Sequence, residues 1–391
     1  MTTDDAALKA LAAGEGLARA IQSTARPGSG MREATMAMER VRTLAQGIGP
    51  DLAPLIADPL VTDVLINSGA VWIDRGGGLE RVDTAIAGEE GTRRLAIHMA
   101  AACGKRLDDS SPIVDGTLPG GVRLHAVLPH PSASGTLVSL RTSRAQALSI
   151  TDMEESGSIA ALMAAVLRRL VERRANVLVS WATGCGKTTL LSALLGLVPA
   201  HERIVCIEEI PELRPDHPHI VCLAERRANI QGAGAIPLSE LVRAAMRMRP
   251  DRLILGECRG VEVRDVLLAL NTGHDGGWAT LHANGADDVP ARLMALGALA
   301  GMSDTAIAAQ AVAAIDAVVH MRRGPVGADG VNRRRWVAQV AVLEREGGEL
   351  RSVLALTVDE DGAARTHAGW DRLCVVTGPI DCDAFVPDRG E

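Results

Sequence analysis

The stretch VLVSWATGCGKTTLL, Val177 to Leu191, carries the residues of a phosphate-binding loop. Such a loop needs a short apolar strand, a tight turn whose backbone N–H groups converge on phosphate, and a helix whose N-terminus adds positive potential. Here NVLVS supplies the strand and KTTLLSALLGLV the helix. Gly184 and Gly186 let the backbone approach an anion, Lys187 reaches the β- and γ-phosphates, and Thr188 offers a hydroxyl to Mg²⁺. Thr183, Cys185 and Thr189 complete the cradle, and Cys185 sets a thiol beside the phosphates. The spacing G-x-x-x-x-G-K-[ST] puts a first glycine at position 181, where this chain has Trp181. An indole there caps the phosphate site, packs beneath the loop or obstructs the nucleotide.

Two acidic strand ends follow. IVCIEEIPEL places Glu208 and Glu209 at the end of an apolar strand, and LILGECRG does the same for Glu257. In a parallel sheet these ends open on the edge where ligands bind. Carboxylates there can hold Mg²⁺ through water and orient an attacking water. The plainer alternative is three ordinary exposed acids, and the buried run RLILG weighs against it for Glu257. NTGHDGGWATLHAN then brings His274 and His282 to Gly-rich turns on either side of a strand, with His282 placed to sense a γ-phosphate. His217 and His219, in RPDHPHI, belong to a proline turn and read as structural. No spacing suits a zinc site.

The elements that must position these residues alternate in type from Ala160 onward. Short apolar strands (NVLVSW, RIVCIEEI, DRLILGE, GGWATLHAN) alternate with amphipathic helices (AALMAAVLRRLVERRA, LSELVRAAMRMR, VEVRDVLLALNTG). That pattern predicts a mainly parallel sheet with helices on both faces. Ahead of it, VTDVLIN, AVWIDR, GVRLHAVLP and TLVSLRT read as strands around the helix GTRRLAIHMAAACGKR, an α+β arrangement. The resulting division is an N-terminal arm or helix over 1–50, an α+β domain over 51–150, an α/β domain over 151–345, and a C-terminal hairpin and tail over 346–391. TDMEESGSI, Thr151 to Ile159, reads as the linker, and the last thirty residues as poorly ordered.

Composition bounds the rest. The 391 residues are 47% hydrophobic, with one Phe, no Tyr and five Trp, so the core is aliphatic. A net charge of −7 argues against a freely diffusing nucleic-acid binder. The locally basic run Met321 to Trp336 reads as a solvated hairpin. Seven cysteines without a C-x-x-C pair read as free thiols of a reducing compartment. Without a signal peptide or a long apolar run, the chain is expected to be soluble and cytoplasmic.

In this order and spacing, the loop, the acidic box IEEIPELRPDHPHIV, LVRAAMRMRPDRLILGECRG and the His box NTGHDGGWATLHAN resemble the type II/IV secretion ATPase superfamily. So do VTDVLIN, VWIDRGGGLER and RLDDSSPIVDGTLPGGVRLHAVLP ahead of them. Within it the chain looks like the CpaF/TadA (tight-adherence) pilus-assembly ATPases, especially actinobacterial ones. The resemblance spans roughly Asp51 to Glu346. It implies a RecA-like P-loop NTPase domain preceded by a smaller α+β domain, a homo-hexamer, ATP with Mg²⁺, and nucleotide held between the two domains. It makes Lys187 and Thr188 the Walker A residues for phosphate and metal. Glu257 becomes the Walker B acid and second metal residue, Glu208 and Glu209 the acidic box, and His274 and His282 the His box. Arg123, Arg141 and Arg226 become groups that reach the nucleotide. It further implies a motor acting on polytopic inner-membrane platform proteins from the cytoplasmic face, with no stable nucleic-acid partner. Departures from the family pattern fall at Trp181, Cys185, Glu209, Cys222 and Trp278. Two alternatives stay open: a degenerate subunit that binds nucleotide with weak or no hydrolysis, and a nucleic-acid translocase.

Overall fold

The computed structural model describes residues 47–142, 148–181, 186–226, 228, 233–273, 275–324 and 334–381. Outside them lie nearly all of the expected N-terminal arm, most of the basic run 321–336, and Thr183, Gly184, Cys185 and His274. The chain divides into two compact units, Met1–Ala145 with Ala328–Asn332, and Gln146–Gly327 with Arg333–Glu391.

The first unit contains α1 (Ala53–Ala57), β1 (Asp63–Asn67), β2 (Ala70–Asp74), β3 (Leu79–Val82), α2 (Gly88–Ala102), β4 (Ile113–Thr117), β5 (Arg123–Val127) and β6 (Leu137–Arg141). Its strands form one antiparallel sheet in the order β3-β2-β1-β6-β5-β4. Alternate residues face inward: Val64, Ile66, Val71 and Ile73 are buried, and α2 covers them with Ala96, Met99 and Ala100. This is the half-buried alternation expected of an antiparallel sheet. At one end of the sheet Asp63, Arg141 and Arg123 lie directly opposite one another on β1, β6 and β5. Arg141 Nε is 3.3 Å from Asp63 Oδ1.

The second unit opens with α3 (Ile150–Glu155), where a linker was expected. Ser149 and Asp152 close a capping box over its first turn, and Ile150 and Met153 are buried. Satisfying two N-terminal amides reciprocally stabilises a helix too short to form unaided. Then follow α4 (Ala161–Glu172), β7 (Val177–Trp181), α5 (Lys187–Leu195), β8 (Ile204–Glu208), β9 (Ile220–Ala224), α6 (Leu238–Ala245), β10 (Arg252–Leu255), α7 (Val263–Asn271) and β11 (Trp278–His282). The unit finishes with α8 (Val289–Leu299), α9 (Asp304–Ala314), β12 (Ala317–Arg323), β13 (Arg335–Glu346), β14 (Glu349–Val358), β15 (Ala364–Thr366) and α10 (Trp370–Thr377).

Its nine-stranded sheet runs β15-β14-β13-β12-β7-β11-β10-β8-β9. Strands β12 through β9 are parallel, and β13, β14 and β15 add an antiparallel extension. On one face, α3, α4, α5 and α10 bury Val177, Val179, Ile204, Cys206, Ile254 and Val319; on the other, α6, α7, α8 and α9 bury Leu178, Val205, Leu253 and Val318. The mainly parallel sheet with helices on both faces is therefore present. The expected boundary at 345/346 falls inside the β13–β14 hairpin, whose strands pair from Gln339↔Thr357 to Glu346↔Glu349 and belong to the same sheet. Within the last thirty residues, which the sequence suggests are poorly ordered, the described part contains β15 and α10, and α10 seats Leu373 at 0% exposure against β14 and α4; residues 382–391 lie outside the described residues. No helix among the described residues is long and apolar enough to cross a membrane.

Candidate nucleotide site

Because β7, β8, β10 and β11 are parallel, their C-terminal ends meet on one edge of the sheet. Trp181 ends β7, Glu208 ends β8, His282 ends β11, and Glu257 follows β10 by two residues. His282 lies in register with Trp181 on the adjacent strand. From β7 the chain passes through 182–185 to Gly186, which caps α5 with φ +89°. A left-handed residue at this junction calls for glycine. Gly186, the N-cap residue, has no side chain to cap α5, and the positive end of the helix points to the edge where the acids gather.

Lys187, the first residue of α5, is the hub. Its Nζ lies 2.6 Å from Glu257 Oε2, and both side chains are 23% exposed. The same ammonium sits 4.5 Å from the centroid of the Trp181 ring, a cation–π contact. The ring is 2% exposed and packs in the core beneath α5, with His282 tilted against it at 4.8 Å between centroids. The indole at position 181 is thus buried, with Lys187 and His282 against it. His282 Nε2 in turn lies 3.4 Å from Glu257 Oε1. Lys187, Glu257 and His282, three of the expected site residues, thus form one cluster.

Thr188 Oγ1 donates to Glu212 Oε2 at 3.2 Å. Glu212 lies within the quoted acidic box without having been singled out. It reaches the site because the chain turns sharply after β8. The carboxylate of Glu208 accepts the backbone N–H of Glu212 at 3.0 Å and of Leu213 at 3.2 Å, closing the turn. Glu208 is 6% exposed, and burial pushes its carboxyl up to about 7 against those amides and the pull of Lys187. Gly256 makes room for it: a Cβ at that position would lie 2.7 Å from Glu208 Cγ. Glu208 therefore positions the acidic turn, and Glu212 is the acid that meets Thr188.

Glu209 pairs with Arg259, whose Nε is also 3.8 Å from Glu257 Oε1. Arg259 is the second residue that sequence reasoning passed over, though it lies in the quoted GECRG. Arg226 follows β9; its main chain bridges to Ile236 and its Nε donates to the Gly234 carbonyl at 2.5 Å. Thr189 donates its backbone N–H to Gly186 in the first turn of α5. Arg123 and Arg141 lie side by side in the first unit. His217 accepts the His219 N–H and meets the Pro199 carbonyl at 3.1 Å, the structural part expected of that turn.

The donors fit a nucleotide phosphate with Mg²⁺: an ammonium and a helix N-terminus for the anion, a hydroxyl and neighbouring carboxylates for a hard cation. Among the described residues no three His, Cys, Asp or Glu side chains converge to hold a metal by themselves. Mg²⁺ at such sites is ordinarily completed by water and substrate oxygens.

A two-sided parallel sheet with a strand–loop–helix lysine facing strand-end acids defines a RecA-like P-loop NTPase domain, here preceded by a smaller α+β domain. The chain belongs to the family described as type II/IV secretion system protein, whose model matches residues 49–348. Its relatives include a "Putative conjugal transfer protein" of Mycobacterium tuberculosis (strain ATCC 25618 / H37Rv), 45% identical over 326 residues, 81% of this chain and 91% of the relative. The type IV secretion system protein PtlH of Bordetella pertussis is 33% identical over 270 residues, 62% of this chain and 78% of PtlH. Among solved structures, the pilus retraction motor PilT with bound ADP superposes with a TM-score of 0.54 at 16% identity, covering 83% of this chain and 84% of PilT. That likeness speaks to the fold.

Proposed function

We propose that this protein is an ATP-hydrolysing motor subunit that powers pilus assembly or type II/IV-like secretion. The observation that carries the reading is Lys187, held at the start of α5 with its ammonium 2.6 Å from the strand-end carboxylate of Glu257. A phosphate arriving at the helix N-terminus would exchange one anionic partner of Lys187 for another. Thr188, Glu212 and Glu257 would hold Mg²⁺, which when bound neutralises charge on the β- and γ-phosphate oxygens. Glu209, Glu212 and Glu257 are the carboxylates available to orient water, and His282 is placed to respond to the γ-phosphate. Thr183, Gly184, Cys185 and His274 enter the proposal as loop and His-box residues, and Arg226 as a group near the acidic turn.

The CpaF/TadA-like subtype, a homo-hexamer, membrane platform partners and a place at the cytoplasmic face of the membrane belong to the same proposal. Their support is the family, the conjugal-transfer and secretion relatives, and the sequence pattern. For Arg123 and Arg141 the support is the resemblance together with their pairing on neighbouring strands.

The test is ATP hydrolysis by the purified full chain with and without Mg²⁺, beside Lys187→Ala. Mg²⁺-dependent turnover lost in the variant is the expected outcome; equal turnover in both proteins would overturn the assignment. Tight nucleotide binding without turnover would favour the degenerate-subunit reading. Stimulation by single-stranded DNA would favour a nucleic-acid translocase.

A further inference from the structure

Cys206 and Cys222 face one another across β8 and β9. They are register partners on neighbouring parallel strands, so their side chains leave the sheet on the same face. The two thiols perturb one another's ionisation, Cys206 upward and Cys222 downward. Adjacent strands lie about 4.8 Å apart, within the span of about 4.4–6.8 Å that a disulfide bridges between Cα atoms. The two thiols differ in access: Cys206 is 0% exposed, whereas Cys222, on the edge strand of the sheet, is exposed.

We propose that Cys222 and Cys206 are a reversible thiol–disulfide exchange site for low-molecular-weight disulfides, and that closing the bridge restrains the strand end that carries Glu208. In the first step the Cys222 sulfur attacks one sulfur of the small disulfide, forming a mixed disulfide and releasing one small thiol. In the second, the Cys206 sulfur attacks the Cys222 sulfur, forming the internal bridge and releasing the other small thiol. The protein loses two electrons and two protons, and the small disulfide gains both. The division of roles follows the environment. Cys222 is the exposed thiol, and the neighbouring Cys206 and the charge of Arg214 lower its pKa against burial and Glu208, while Cys222 and burial raise that of Cys206, which stays protonated until the mixed disulfide forms.

The consequence for the site runs along β8. Glu208 lies two residues beyond Cys206 on the same face of the strand, and its carboxylate holds the turn that brings Glu212 to Thr188. The backbone on the β9 side is tied to the same point, since Glu225 N–H donates to the Glu208 carbonyl. A covalent tie between β8 and β9 fixes the spacing of the strands from which that turn departs. This part of the inference rests on the proposed ATPase reading; the exchange chemistry does not.

The experiment treats the full chain with oxidised glutathione, blocks free thiols with iodoacetamide and digests with trypsin. Both cysteines fall on one peptide, residues 204–226, because Pro215 protects the Arg214 bond. The expected result is a 204–226 peptide two hydrogens lighter than the reduced one, restored by dithiothreitol. In Cys206→Ser, Cys222 should instead retain glutathione. A wild-type peptide carrying two alkyl groups, or glutathione on Cys222 with Cys206 alkylated, would overturn the exchange site. In parallel, oxidation should remove most ATP hydrolysis from the wild type and spare Cys222→Ser. A bridged protein with undiminished turnover would overturn the coupling to Glu208. A reduced protein without turnover would sink the ATPase reading and leave the peptide result standing.

Discussion

At the scale of single residues, Lys187 and Trp181 act as one unit, with the ammonium held between a carboxylate and an indole face. Lys187→Ala should lower ATP turnover by about 10²-fold or more, as expected when a charged group at the transferring phosphate is removed; steady-state phosphate release checks this. Trp181 sits in the core, so Trp181→Gly should lower stability by about 3–5 kcal/mol through the cavity it leaves, read as a shifted urea midpoint. Trp181→Phe, which keeps an aromatic face below Lys187, should lose less. Position 181 reads from sequence as a strand exit where an indole can cap, underlie or obstruct the site; its ring is buried in the same core as Val179, Leu190 and Leu191. Much of the site was legible. Lys187, Thr188, Glu257 and His282 each stand at a strand or helix end that periodicity locates, and the structure gathers them. Glu212 and Arg259 were not legible as site residues. Their arrival depends on a turn closed by Glu208 and on a side chain folding back from Arg259 to Glu209, and neither has a local signature.

At the scale of elements, buried side-chain contacts between neighbouring strands can be tested. Ser180 on β7 meets His320 Nδ1 on β12 at 2.9 Å, and His320 is 1% exposed. Burial, with a smaller push from Arg322, lowers the His320 pKa to about 4, against the opposing influence of Asp288 and the Asn284 backbone. Between about pH 4 and 6.5 the unfolded chain therefore binds a proton that the folded one does not. Stability should fall as pH drops through that window, by about 3 kcal/mol for one group. Urea titrations from pH 7 to pH 4 should show a shallower decline for His320→Gln than for the wild type. Gly256→Ala should push the Glu208 side chain aside and lower both melting temperature and ATP turnover, because the added Cβ meets Glu208 Cγ at 2.7 Å. The fold was legible where elements are punctuated. VTDVLIN and AVWIDR are separated by Ser68-Gly69, and NVLVSW runs into a glycine loop. Strand β12 was not: AIAAQAVAAIDAVVH runs from α9 into β12 without a glycine or proline, and an unbroken apolar run does not declare its own period. The hairpin β13–β14 was visible as strands, but nothing local in it reveals which sheet it extends.

At the scale of the whole molecule, the proposal is an assembled motor. Specific ATPase activity should rise with protein concentration across the range where light scattering shows subunits associating, and strict proportionality would count against it. Arg123→Ala and Arg141→Ala should lose turnover while retaining binding of a fluorescent ATP analogue, the result expected of groups that act on the bound phosphates. The central place of β7 has a consequence for how the protein is made. The strand lies fifth of nine, and its two neighbours come from far down the chain: Val177 pairs with Trp278 on one side and with Ala317 on the other. A ribosome therefore delivers VLVSW long before either partner exists. An apolar strand without neighbours is open to mispairing in the interval. Nascent chains arrested before Ala317 has left the exit tunnel should remain protease-sensitive around residue 180, and resistance should appear once Arg323 has emerged. A chain already resistant at the earlier point would mean that the nucleotide strand is assembled without its second neighbour.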